Sequence, residues 1–248
     1  MWLRCYAESW SLRWLPLKRA LCPIFSSVKT KECALTVNVT LLNASGKLSK
    51  YSDLLEEEIE VGLARVSEFF ELSAIDITVS PFQKGEESPS GLGGYALSEH
   101  RVELLVDCSR DDIDKVIKSE LLDVLAHEIH HSVRLGFHIP TGTLAQQLIM
   151  EGLACHFEYA VTNGKPSSLF KNLANYDWRH GLKQICHLLD STDFSLDKLF
   201  LGSQPKEFPK YAGYWIGFNL VSEYAKIHNA TEADMVGLEA THFFDSCK

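Results

Sequence analysis

The stretch LLDVLAHEIHHSVRLG, residues 121–136, holds three histidines and a glutamate within five consecutive positions: His127, Glu128, His130 and His131. Such residues can bind a metal ion and move a proton. On an α-helix, positions four apart lie about 40° apart around the axis and about 6 Å apart along it. The imidazoles of His127 and His131 can therefore grip one ion. Glu128 is offset by one residue, so it can reach a water on that ion without itself binding the ion. That is the physical content of an H-E-x-x-H pattern. His130 could form a competing pair with His127 at a spacing of three. Glu128 favours the 127/131 pair, and His130 is expected to pack or hydrogen-bond behind the ligands. The competing reading of His127 and His131 is a pair of satisfied core or surface histidines.

A catalytic zinc needs a third protein ligand and one open position. The candidate is Glu151, 20 residues after His131 in TGTLAQQLIMEGLACHFEYAVTNGKP. Thr143 and Gln146 form a T-x-x-Q capping box at a helix start. Asn163-Gly164 and Pro166 close that helix. Glu151 sits mid-helix among Leu148, Ile149, Leu153 and Ala154, where a carboxylate is costly unless it is paired or ligates a metal. The 20-residue separation lets one helix end and a second return against the first. Two histidines and a glutamate are a known catalytic zinc set. Cys155 and His156 compete for the third position, and an ordinary helix carboxylate is the plainer reading of Glu151. For Glu158, two turns further on, a solvated position is expected. The alternative is a carboxylate that orients a ligand histidine.

Stepping outward from these residues, Ile113, Val116, Ile117, Leu121, Val124, Leu125 and Ile129 give the apolar positions of the helix that carries the histidines. It should run from Asp111 to Leu135 with a possible break near Lys118. Asp111 and Asp112 would favour its first turn, and Gly136 is its terminator. Upstream, LTVNVTL alternates as a half-buried strand. Residues 50–71 show helical spacing, and AIDITVS reads as a second strand. Residues 81–94, rich in Gly, Pro and Ser, read as a loop. YALS and RVELLVD flank EH as a hairpin. Beyond it the pattern is helical to the end. The order predicts an α+β fold, a small mixed-sheet lobe at about 35–108 followed by a helical lobe at about 109–248. Together these form one domain, preceded by an extension at 1–34.

The chain has 248 residues, 46% of them apolar and 23% charged, which suits a globular protein. A net charge of −9 argues against a nucleic-acid partner. The charge is uneven: Arg4, Arg13, Lys18, Arg19, Lys29 and Lys31 face Glu8 alone at the start. That start lacks the layout of a secretory signal, and no segment reads as a membrane span. Seven cysteines, an odd number with no C-x-x-C pair, argue against a disulfide framework or a zinc knuckle. Reduced thiols in a cytoplasmic setting are the expectation.

LAHEIHH, followed by MEGLACHFE and later YAGYWIGFNLV, resembles the YjaZ-type family of predicted zinc-dependent proteases. The upstream GLGGYALSEHRVELLVD is also similar to that family. The resemblance spans roughly residues 36–245. It implies a zincin-like fold, one Zn2+ per chain held by His127, His131 and Glu151, Glu128 as the base, and a peptide or protein substrate. In zincins the last strand before the H-E-x-x-H helix often lies at the sheet edge, where an extended peptide can add. Gly91 to Tyr95, or the hairpin after it, is the candidate rim. Glu128 would take a proton from the attacking water and pass it to the leaving amine. Tyr214, in AGYWIG, is the first candidate to stabilise the oxyanion. Tyr211, His180 and His228 are alternatives, and a packed core tyrosine is the competing reading. A different class also fits a zinc site, a non-catalytic binding or regulatory module. A third is a hydrolase of non-peptide amides.

Overall fold

The computed structural model describes residues 37–72, 74–83, 88 and 90–244. The basic segment at 1–34 lies outside these residues. Among the described residues there are four strands: β1 (Val37–Leu41), β2 (Ile75–Pro81), β3 (Leu92–Ser98) and β4 (Arg101–Val106). They form one sheet in the order β1-β2-β4-β3. β1, β2 and β4 run parallel, and β3 is antiparallel to β4 at the edge. Alternation does what the sequence predicts. Ile75, Ile77 and Val79 of β2, and Val102, Leu104 and Val106 of β4, all point into the core.

The rim falls where the sequence placed it: β3, which takes in most of the Gly91–Tyr95 stretch, is an edge strand, while its hairpin partner β4, the strand that immediately precedes the histidine helix, is interior. One expectation about the sheet is corrected, since β3 begins at Leu92 and Gly93 and Gly94 are strand residues rather than loop. A glycine has no side chain to show alternation, which hides the strand from the sequence. Its bareness has a use here, since a Cβ on Gly94 would lie 2.5 Å from Cγ of Glu128.

The helix α1 (Ser52–Val66) is shorter than its periodic pattern and buries Leu55, Ile59, Gly62 and Val66, with Gly62 facing Leu125 of the next helix. Next comes α2 (Ile113–Leu135), which carries the histidines and runs without a break at Lys118. Asp111 precedes the helix and Asp112 is its cap position, without a side-chain cap bond, so the first-turn acid is Asp114. Gly136 stays right-handed at φ −63°, and the left-handed turn comes two residues later at His138, φ 53°. The next helix, α3 (Leu144–Val161), opens on the expected Thr143/Gln146 capping box. Asn163 and Gly164 close it in the left-handed region.

After α4 (Trp178–Ile185), the long helix α5 (Ala212–His228) packs on α3. The two backbones almost touch: a Cβ on Gly217 would lie 2.0 Å from the carbonyl oxygen of Leu148, and one on Gly152 would lie 2.3 Å from Gly217. Short α6 (Glu232–Met235) and α7 (Thr241–Phe244) follow. The described residues form two apolar cores. One lies among the sheet, α1 and α2, and the other among α3, α5 and the helices after them. Phe157 and Val161 at the end of α3 belong to the first core, while Leu148, Ile149 and Leu153 belong to the second. α3 therefore spans the junction, and the polar residues on it sit there.

Candidate metal centre and cleft

α2 and α3 lie side by side with opposite sense, so His127 is nearest Glu158 while His131, a turn further on, is nearest Glu151. On α3, residues 151 and 158 are seven apart and share one stripe. That stripe meets the 127/131 stripe of α2. Nε2 of His127 lies 2.9 Å from Nε2 of His131 and 3.2 Å from Oε2 of Glu151. His131 Nε2 lies 3.5 Å from the same Oε2. Three ligands each about 2.05 Å from a tetrahedral ion would stand roughly 3.3 Å apart. The triangle formed by His127, His131 and Glu151 matches that size, and two imidazoles with one carboxylate are a donor set zinc accepts. The residues fit the ion.

Glu158 departs from expectation. It is buried, not solvated, and its Oε1 accepts from His127 Nδ1 at 2.5 Å. This bond fixes which ring nitrogen of His127 faces the cluster. The sequence signal was available, because Glu158 lies on the same stripe as Glu151, but spacing alone does not say that His127 is opposite. Cys155 sits between them, buried, and contributes to a second possible donor group with His127 and Glu158. His156 turns away, with its Nδ1 donating to Glu232 Oε1 at 2.6 Å. His130 packs, as expected, against Phe157 and Phe70. Neither of its ring nitrogens has a protein partner among the described residues.

Charge is distributed unevenly in the cluster. Burial alone would raise the Glu151 carboxyl, yet His131 and His127 beside it hold it well below the usual carboxylate range. Burial opposes a proton on His127, but bonds to Cys155, Glu151 and Glu158 outweigh it and push that imidazole well up. The pocket thus demands positive charge, which a divalent cation supplies. Glu128 behaves differently. Its burial raises its pKa, partly countered by His127 and His131, and the Ala96 backbone N–H of β3 donates to it. A carboxyl raised in this way is better matched to proton transfer near neutral pH than an ordinary glutamate. Burial drives His130 the other way, well below its ordinary value, so it is neutral.

Two cavities flank the cluster. One, of about 190 Å³, runs under the edge strand along Gly94–Leu97 and past His131, Arg134 and Met150. The other, of about 540 Å³, runs past Asp123, Glu158, Lys210 and Tyr211. His127, Glu128 and Tyr214 line both. Together the cavities form a cleft with the cluster at its waist. In the larger cavity, burial lifts Asp123 to about 6 despite its 2.7 Å bond from Lys165.

Tyr214 is brought to the cluster, its ring centre 6.5 Å from that of His127. It is held by the close α3–α5 crossing and by the Phe200 ring, 5.2 Å away. Its phenol is pushed well up, first by burial and then by Glu151, so it stays protonated. Tyr211 lies a ring-pair distance behind it, 6.0 Å, on the larger cavity. His180 and His228 are exposed and line neither cavity. Arg134, in the last turn of α2, also lines the smaller cavity, a placement that the spacing along the helix does not reveal.

An α+β protein with a two-histidine, one-glutamate cluster between antiparallel helices and beside a sheet edge is the class of molecule this chain represents. It belongs to the family described as "Predicted Zn-dependent protease (DUF2268)", whose model matches residues 55–245. The chain is also 31% identical over 134 residues to a Bacillus subtilis (strain 168) protein described as "Uncharacterized protein YjaZ". That match covers 50% of this chain and 49% of the relative, so the chain spans about half the length of the relative it matches. No solved structure matches the chain. No helix among the described residues is long and apolar enough to cross a membrane.

Proposed function

We propose that this protein is a zinc metallopeptidase in which His127, His131 and Glu151 hold the ion and Glu128 is the general base. The observation that carries this reading is the pairing of a zinc-sized donor triangle with a buried carboxylate one residue out of line. A zinc in the triangle supplies Lewis acidity toward a water and toward a carbonyl oxygen. Glu128 accepts a proton from the attacking water. The new C–O bond forms at the scissile carbonyl, the C–N bond breaks, and Glu128 returns the proton to the leaving amine. Tyr214, kept protonated, donates to the oxyanion. Glu158 orients His127. The edge of β3 lies along the cleft, where an extended peptide can pair with it. The substrate is a peptide or protein, and the setting is the cytoplasm.

A second reading, a closed structural zinc in a non-catalytic module, is favoured by one observation, the presence of Cys155 in a donor group with His127 and Glu158. A structural site needs no general base, so Glu128 separates the two. Glu128→Gln should retain stoichiometric zinc and lose at least about a hundredfold of peptide-cleaving activity. Equal cleavage of a peptide library by the variant, or no cleavage by the zinc-loaded wild type, would contradict the peptidase reading.

A further inference from the structure

The smaller cavity contains a charge that the peptidase reading does not use. Arg134 is three residues past His131, so it lies about 4.5 Å further along α2. Its residue surface is 5% exposed. One guanidinium nitrogen donates to the carbonyl oxygen of Val236 at 2.6 Å. No carboxylate pairs with it among the described residues, although five donors are available on the group. Its remaining N–H groups are not sealed away, and Arg134 lines the cavity together with Gly94–Leu97, His131 and Met150. Burial without a counter-charge pulls its pKa down to about 10. A buried cation left unpaired is costly, and proteins ordinarily pair it. The neighbouring glutamates do not do so. Glu151 and Glu158 are committed to the histidines, and Glu128 is held by Ala96.

We propose that Arg134 makes the smaller cavity a carboxylate-recognising subsite, so that the enzyme selects substrates with an anionic group near the bond it cuts. The inference rests on the peptidase reading for its meaning but not for its test. A group held at Arg134 lies along the same cavity as a carbonyl at the triangle, toward the C-terminal end of α2. A guanidinium fork takes a carboxylate with two parallel bonds. The carboxylate has two possible sources, the free C-terminus of a peptide or an Asp or Glu side chain. The first makes the protein a carboxypeptidase-like exopeptidase and the second an acid-directed endopeptidase.

The experiment uses matched peptide pairs with the full-length zinc-loaded protein. In one arm the pair differs only in a C-terminal carboxylate against an amide. In the other it differs only in Glu against Gln at each of the positions flanking the cleavage bond. Cleavage is measured as kcat/KM with wild type, and binding as Kd with zinc-loaded Glu128→Gln. At least about a tenfold preference for the anionic member in one arm, carried by KM and Kd, is expected, and that arm identifies the source. In Arg134→Met the ratio within the pair should fall to near one, and in Arg134→Lys it should be partly restored. Discrimination under twofold in every pair by wild type overturns the proposal, as does a preference for the uncharged member. A preference that persists unchanged in a folded Arg134→Met also overturns it, and Arg134→Lys, which keeps the charge and the bond to Val236 within reach, serves where Arg134→Met does not fold. A carboxylate preference in Kd with no cleavage by wild type sinks the peptidase reading alone. Cleavage without any preference sinks the subsite alone.

Discussion

Glu158 shows how one side chain can matter to a site it does not enter. Its carboxylate accepts a hydrogen bond from the Nδ1–H of His127, leaving Nε2 to face Glu151 and His131. Without it the ring could rotate or take the other tautomer. Partners of this kind typically contribute ten- to a hundredfold to metal affinity. Glu158→Ala should therefore weaken zinc binding by about that factor in a competitive chelator titration. The secondary structure should persist by circular dichroism. An unchanged zinc affinity would show that His127 is oriented by its packing alone. At this scale the sequence was informative where the rule is local. His127, Glu128 and His131 follow from a spacing of four on one helix, and Glu151 follows from the cost of a carboxylate among Leu148, Ile149 and Leu153. For Glu158 the sequence offered the orienting role only as the alternative, and for Arg134 it offered none, because each is defined by what stands opposite it on another element.

Elements position these residues through close contacts that small side chains permit. The crossing of α3 and α5 depends on Gly152 and Gly217. Replacing a helix-interior glycine with alanine ordinarily stabilises by about 1 kcal/mol. Gly217→Ala is expected to do the opposite, because the new Cβ would stand 2.0 Å from the Leu148 carbonyl oxygen, which is backbone and cannot rotate away. The loss should be about 2 kcal/mol by urea unfolding, within the range for overpacking. A gain in stability would mean the helices can separate at little cost. The same principle explains the one strand the sequence concealed. Gly93 and Gly94 read as loop, but Gly94 is bare so that Glu128 can pack against the edge strand. By contrast the Thr143/Gln146 cap and the hairpin across EH were readable, since both are set by residues within a few positions of each other.

At the scale of the molecule, the α+β order of a mixed sheet followed by helices was legible, because the period of apolar residues changes from two to near 3.6 along the chain. The parallel pairing of β1, β2 and β4 was not, since it depends on long-range contacts, although the edge position of the Gly91–Tyr95 stretch was anticipated. The two cores meet along α3, and the metal cluster lies at that junction with a cavity on either side. Such an arrangement would leave room for an extended ligand on both sides of an ion held by the triangle, whereas a closed structural site would not need it. The central claim is therefore an open three-ligand site. X-ray absorption at the zinc edge on the loaded protein tests it most directly. The account predicts two imidazole nitrogens and one carboxylate oxygen at about 2.0–2.2 Å, with the remaining position taken by a light solvent atom. A sulfur at about 2.3 Å from Cys155, completing four protein ligands, would contradict it.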